Sequence, residues 1–370
     1  MQQRIYFLDN LKLFIVWLMV VFHIAMSYMA YVPEWWYVID GDSALSGTVF
    51  VIWADVFIMP VMFFVSGYFG LNSLSRRSPG RFWRSKWKRI GLPWIFGAMV
   101  IAPYIAYLTF ASRGIPYTYG DFYIEQFWGP FYQHAHYWYL GFLMCLYLLL
   151  FIICNVFPGL KQRCRASHPS ALLFGAVFIL CTAGMAAVNS YVPDAIWIHP
   201  LYLIVLQPTR AFIYVVYFLL GAYAWRQNWF SSGGYCPSLK IWLPLFIIMS
   251  VVLCLHRLSP GYPSLSPEAC IWLNAAIHSL FCLSAIFGLL ALFCRCCNFT
   301  TGMLTSFAAT SYAVYYVHQI FAMNSVWFLR SFEINICLKY IIACIFTLAA
   351  SHLLSKYLLM RLPCFAVKKK

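Results

Sequence analysis

Three ionisable side chains stand inside apolar runs of this chain: His23 in "DNLKLFIVWLMVVFHIAMSYMAY", Asp55 in "FVIWADVFIMP" and His318 in "SYAVYYVHQIF". A titratable residue held among aliphatic neighbours at bilayer depth is costly, and such residues commonly mark function. An imidazole near neutral pKa can take a proton from a hydroxyl, and a carboxylate beside it can orient the ring and stabilise its charged form. His23, Asp55 and His318 are therefore candidates for a buried acid–base centre. The structural alternative is a neutral histidine hydrogen-bonded to a neighbouring helix, with Asp55 paired to an arginine or to backbone.

These residues need rigid elements to hold them. An apolar run of about 20 residues spans a bilayer as a helix. Ten such runs are expected, at 11–31, 47–72, 89–111, 137–157, 171–191, 208–225, 239–257, 272–294, 303–328 and 334–358. The fold class is all-α, a polytopic transmembrane helix bundle formed by one domain over 1–370 with a basic tail at 361–370. His23 then lies eight residues, roughly 12 Å at about 1.5 Å per residue, from the far end of the first span. Asp55 and His318 fall at a similar depth. Between the fifth and sixth spans, "IWIHPLYLIVLQPTR" is left either to lie along the interface or to re-enter the bilayer.

Charge placement gives an orientation. With the N-terminus in the cytoplasm and the spans alternating, Arg4, Lys12, the cluster from Arg76 to Arg89 and the tail at Lys368, Lys369 and Lys370 all fall inside. Twenty of the 25 Lys and Arg do so, while Arg113, Arg210, Arg257, Arg330 and Lys339 fall outside. That is the positive-inside pattern, and it places both termini in the cytoplasm. The composition supports it, because 63% of residues are hydrophobic and only 9% charged, too few to cover a soluble surface. The net charge of +15 does not imply a nucleic-acid partner, since its positions follow the loops. The N-terminal run is too long for a secretory signal and is expected to stay as the first span.

Two polar stretches remain. "RRSPGRFWRSKWKRIGLP", Arg76 to Pro93, interleaves seven basic residues with Phe82, Trp83 and Trp87. It suits an anionic lipid headgroup or a ligand with several phosphates, and composition alone does not choose between them. "HAHYWYLGFLMCLYLL" begins with His134 and His136, an H-x-H pair with no further metal donor nearby, so no metal site is expected. The 14 cysteines, including Cys294, Cys296 and Cys297, read as small apolar packing residues.

These motifs together resemble the acyltransferase-3 family, membrane enzymes that move acyl groups from acyl-CoA onto extracytoplasmic sugars and related acceptors. Lys12 and His23 are similar to the family's basic-x10-His signature, with Lys12 where Arg is usual. "MFFVSGYF" resembles its FFxxSGY/F segment, "FWRSKWKRIGLP" its basic loop, "HYWYL" its H-x-W-[YF]-L pattern, and "SYAVYYVH" its late S-x-x-x-Y-x-x-H pattern. The "YFLD" opening and the "SGYF" block look like the branch that succinylates periplasmic glucans.

The resemblance implies a multi-pass protein of the inner membrane with acyl-CoA as co-substrate and no tightly bound cofactor. It implies His23 as the catalytic base, and Lys12, Arg84, Lys86 and Arg89 as holders of the CoA phosphates. Ser66, His136, Trp138 and His318 would line the pocket. Expected partners are acyl-CoA, a glycan or other hydroxyl acceptor, and membrane lipid; the oligomeric state is left open. The rival is a transporter or channel that uses the same ionisable residues as an ion or proton path. A non-catalytic scaffold is a third reading.

Overall fold

The computed structural model describes residues 5–231 and 233–366. Arg4 and Lys368–Lys370, used above for orientation, lie outside the described residues. The chain is helical; among the described residues the only β pairings are isolated bridges, Met29 with Ala44 and Ile198 with Leu206.

In chain order the main helices are α1 (Tyr6–Ala25), α2 (Leu45–Asp55), α3 (Ile58–Ser75) and α4 (Pro79–Ser112). They continue with α5 (Trp138–Val156), α6 (Ala171–Asn189), α7 (Pro208–Arg226) and α8 (Leu239–Leu258). The last three are α9 (Pro267–Cys296), α10 (Gly302–Leu329) and α11 (Ile336–Tyr357). Among the described residues, eight helical segments are long and apolar enough to cross a membrane, with α2 and α3 forming one broken span. The other two expected runs form α7 and α10, helices of 19 and 28 residues that fall outside those eight. Their extra polarity (Thr209 and Arg210 in α7; Thr310, His318 and Gln319 in α10) is turned largely inward, where protein rather than lipid meets it.

The "FFVSGYF" segment is a packing device. A Cβ placed on Gly67 would sit 1.9 Å from the Phe218 carbonyl oxygen, and one on Gly221 would sit 1.9 Å from that of Phe64. Only glycine at both positions lets α3 and α7 cross with their backbones touching, the small-residue contact typical of membrane helices. Cys294, read above as a plain packing residue, is disulfide-bonded to Cys236.

α1 ends sooner than hydropathy implied. It stops at Ala25, a short 3-10 turn runs over Met26–Tyr28, and the chain then crosses the bundle end as a strap, residues 29–44. Lys339 of α11, itself buried, clamps that strap by contacting Asp40 at 3.1 Å and Asp42 at 2.9 Å. From the other side Arg113 donates to the Glu34 carbonyl at 2.7 Å and to that of Trp36 at 3.0 Å. His23 is therefore two residues from its helix end, not eight, and the strap rather than a longer helix covers it.

Candidate active site

The end of α1, the middle of α10 and the turn before α5 meet beneath the strap. His23 Nδ1 lies 2.8 Å from His318 Nε2, with the two rings nearly parallel. His136 approaches from the turn, its ring centroid 4.7 Å from that of His318. The Trp36 indole of the strap stacks on His23 at 5.9 Å, and its Nε1 donates to Ser27 Oγ. Three histidines predicted on separate segments thus share one cluster, although the residues between them gave no sign of which faces would meet.

The hydrogen bonds fix the tautomers. His318 Nδ1 lies 2.7 Å from the Tyr315 carbonyl oxygen, which can only accept. In its neutral form His318 therefore carries its proton on Nδ1 and leaves Nε2 bare. His23 must then donate from Nδ1 to that nitrogen, which puts the His23 lone pair on Nε2. Among the described residues nothing bonds His23 Nε2, and His23 lines a cavity of about 1040 Å³. A fixed tautomer with a bare nitrogen at a cavity wall is the arrangement a general base requires. His136 is pinned separately: Gln319 Oε1 lies 2.6 Å from its Nδ1 and 3.3 Å from its backbone nitrogen, and Tyr315 Oη donates to its carbonyl at 2.6 Å.

The same cavity is lined by His136, Trp138, Gln319, Asp55 and Arg210. Asp55 does not serve as the carboxylate for His23, contrary to the equal-depth expectation. It is ion-paired with Arg210, which also lies 3.5 Å from Asp194; Arg257 is 3.9 Å from Asp194. The break between α2 and α3 leaves Asp55 at a helix C-terminus, where the dipole disfavours an anion, and the guanidinium offsets that. Burial by itself would raise the Asp194 carboxyl, but Arg210 and the Thr209 hydroxyl outweigh it and hold it well below the usual carboxylate range. Burial pulls His134 down to about 4, with His199 adding to the shift, and pushes Tyr132 up to about 12, with Tyr202 adding to it.

Other expected positions lie elsewhere. Ser66 does not line the cavity; its Oγ bonds Tyr139 Oη at 2.8 Å inside the packing of α3 against α5. The cause is helical phase, since the close contact at Gly67 turns its neighbour toward α5. His318 stands behind His23 and is fully buried rather than pocket-lining. Lys12, Arg84, Lys86 and Arg89 also do not line it. Lys12 pairs with Asp9 at 2.8 Å and lies over the Phe69 ring, and the Lys86 ammonium sits 3.6 Å from the Tyr147 ring centroid. Arg84 is exposed, and Arg89 donates to the Ala366 carbonyl at 2.8 Å. Lys12 is eleven residues before His23, about 16 Å along α1, so this basic group belongs to the opposite end of the bundle.

Sequence reasoning missed Trp36 and Gln319, carried Tyr315 only as a position of the late motif, and counted Arg210 only as an outer-side cation. Gln319 had a usable signal as a second polar residue beside His318 in an otherwise apolar turn. The late S-x-x-x-Y-x-x-H pattern marked Tyr315, but neither its carbonyl contact to His318 nor its hydroxyl contact to His136 was legible.

Residues 5–356 match the family model described as an acyltransferase domain, nearly the whole chain. The chain belongs to the acyltransferase-3 family. Among curated proteins it is similar to glucans biosynthesis protein C of Salmonella paratyphi B and of Salmonella dublin. In each case 23% of 341 residues are identical, covering 85% of this chain and 82% of the relative. No solved structure matches the chain. A multi-pass membrane acyltransferase therefore replaces the transporter and scaffold readings of the buried ionisable residues.

Proposed function

We propose that the protein carries an acyl group, acetyl or succinyl, from acyl-CoA to a hydroxyl of an extracytoplasmic glycan or related acceptor, with His23 as general base. The observation that carries this reading is the hydrogen bond from His23 Nδ1 to His318, which leaves Nε2 bare at the cavity wall.

The chemistry follows from that geometry. An acceptor hydroxyl in the cavity gives its proton to His23 Nε2 while its oxygen attacks the thioester carbonyl. His318 Nε2 accepts from the imidazolium so formed, the part that a carboxylate takes in a triad. Collapse of the tetrahedral adduct breaks the C–S bond, and the departing thiolate takes the proton back from His23. The products are ester and free CoA. General base catalysis contributes about 10²–10⁴. Trp138 and His136 offer an aromatic wall and a pinned ring to an acceptor.

Lys12, Arg84, Lys86 and Arg89 would take the CoA phosphates at the other end of the bundle, and the pantetheine arm would run between helices to His23. Both termini would be cytoplasmic, the membrane the inner membrane, and the cavity extracytoplasmic. Because the relatives are named for glucan biosynthesis, a glucan is the first acceptor to test. Purified protein in detergent, given labelled acetyl-CoA or succinyl-CoA and a glucan, transfers label. His23→Ala lowers transfer about 10²–10⁴-fold while size-exclusion elution and thermal unfolding stay as in the wild type. Unchanged transfer by that variant refutes the base assignment, and no transfer with any acyl-CoA refutes the donor.

A further inference from the structure

Between Asp194 and Arg210 the chain carries no Asp, Glu, Lys or Arg, and up to the start of α7 at Pro208 it lies outside the long helices. It forms neither an interfacial helix nor a re-entrant one. Ile198 and Leu206 exchange backbone hydrogen bonds at 2.9 and 3.0 Å, closing a hairpin. Its inner face lines the cavity through Trp197, His199 and Val205. Tyr132 Oη donates to the Tyr202 carbonyl at 2.5 Å and ties the tip to the loop before α5.

The tip faces away from the protein. Leu201 is 86% exposed and Leu203 59%, and Tyr191, at the hairpin's approach, is 89% exposed. Leu201 and Tyr202 also hold φ of +54° and +58°, the left-handed region that side chains other than glycine adopt at a cost. A turn built only to reverse the chain would use glycine. This one spends strain to hold Leu201 outward while the Tyr202 ring packs on Tyr132 and His199.

We propose that the hairpin tip is seated in the headgroup–acyl boundary of the bilayer on the cavity side, so that one wall of the cavity is a membrane-bound flap. Contiguous apolar surface of this kind needs a partner, and three observations choose lipid. First, α6 precedes the hairpin by a short loop, residues 190–197, and has only 28% of its apolar window buried in the protein, with Ile179 and Leu180 exposed. The leucines of the tip, Leu201 and Leu203, are apolar and exposed to a similar or greater degree. Second, the absence of fixed charge from 195 to 209 removes the desolvation penalty of entering the boundary. Third, Tyr191 and the half-exposed Tyr202 are of the residue type that favours the interface, with an apolar body and a polar handle.

The test is a photo-crosslink and is independent of acyl transfer. The full chain, with p-benzoylphenylalanine at position 201 or 203, is reconstituted in vesicles of phosphatidylethanolamine and phosphatidylglycerol and irradiated. Position 179 on α6 sets the lipid signal, and position 264, in the exposed loop between α8 and α9 at the same end, sets the aqueous background. The proposal expects intact-mass spectra in which 201 and 203 gain the mass of one phospholipid in yield near that of 179. Yields nearer to that of 264 overturn it.

Discussion

Replacing His318 by leucine removes the acceptor that orients His23 while keeping a side chain of similar bulk. The bond lost is the 2.8 Å contact to His23 Nδ1, and its value is greatest when His23 is an imidazolium, in the transition state. A hydrogen bond to a charged group contributes about 1.5–3 kcal/mol. At about 1.4 kcal/mol per decade that is a fall in kcat of about 10- to 150-fold. The loss of His23 itself is expected to cost about 10²–10⁴. KM for the acyl donor should hardly move, because the bond strengthens only as charge develops. His318→Gln separates orientation from packing: its side-chain oxygen reaches the place of Nε2 and can accept from His23, so it should recover most of the lost rate. Steady-state transfer of labelled acyl groups by the three variants, each checked for its thermal transition in detergent, decides the matter. A leucine variant within twofold of wild-type kcat, or a glutamine variant no better than leucine, refutes the orienting role.

Asp55→Asn should act on stability more than on rate. Arg210 keeps Asp194 as a partner and Asp55 is part-exposed, so the expected loss is about 1–3 kcal/mol in chemical unfolding, with far more residual transfer than His23→Ala retains. Gly67→Ala drives a methyl group into the Phe218 carbonyl and should lower stability by about 1–3 kcal/mol or prevent folding; the same change at Gly80, where nothing lies within 4 Å, should not. His134 is buried with its proton affinity lowered to about 4, so between pH 6.5 and 4 the unfolded chain binds the extra proton. Its contribution is complete above about pH 6.5 and falls by up to about 1.4 kcal/mol per pH unit below it. His134→Gln should flatten the dependence of thermal stability on pH between 6.5 and 5, and an unchanged slope refutes the assignment.

Which parts of this were legible follows from what each kind of signal encodes. Hydropathy reports the length of an apolar run, so the helices at 171–191, 239–257 and 334–358 lie close to where expected. Hydropathy does not report which face of a helix meets which neighbour. Depth was inferred for His23, Asp55 and His318, but contact depends on rotation about each helix axis. A turn of about 100° per residue decides whether Asp55 reaches a histidine or Arg210. The paired glycines at 67 and 221 fix the rotation of α7, which carries Arg210, against α3, and their partnership is visible only once both helices are placed. The strap was illegible for another reason. Residues 29–44 carry no periodicity, and their position is dictated by Lys339 and Arg113, two cations that a charge count could treat only as outer-loop residues.

That last point bears on how the site works. Lys339 is buried beside Asp40, and removing one member of such a pair usually costs about 3–5 kcal/mol because the other charge is left uncompensated. Here the pair fixes a segment whose Trp36 lies against His23, so the clamp and the base are mechanically linked. Lys339→Met should therefore lower kcat together with stability, whereas Lys339→Arg, which keeps a cation at the same place, should restore both. If the arginine variant recovers stability without kcat, the strap's exact height over His23 is what the lysine sets; if methionine leaves kcat intact, Trp36 does not position the ring.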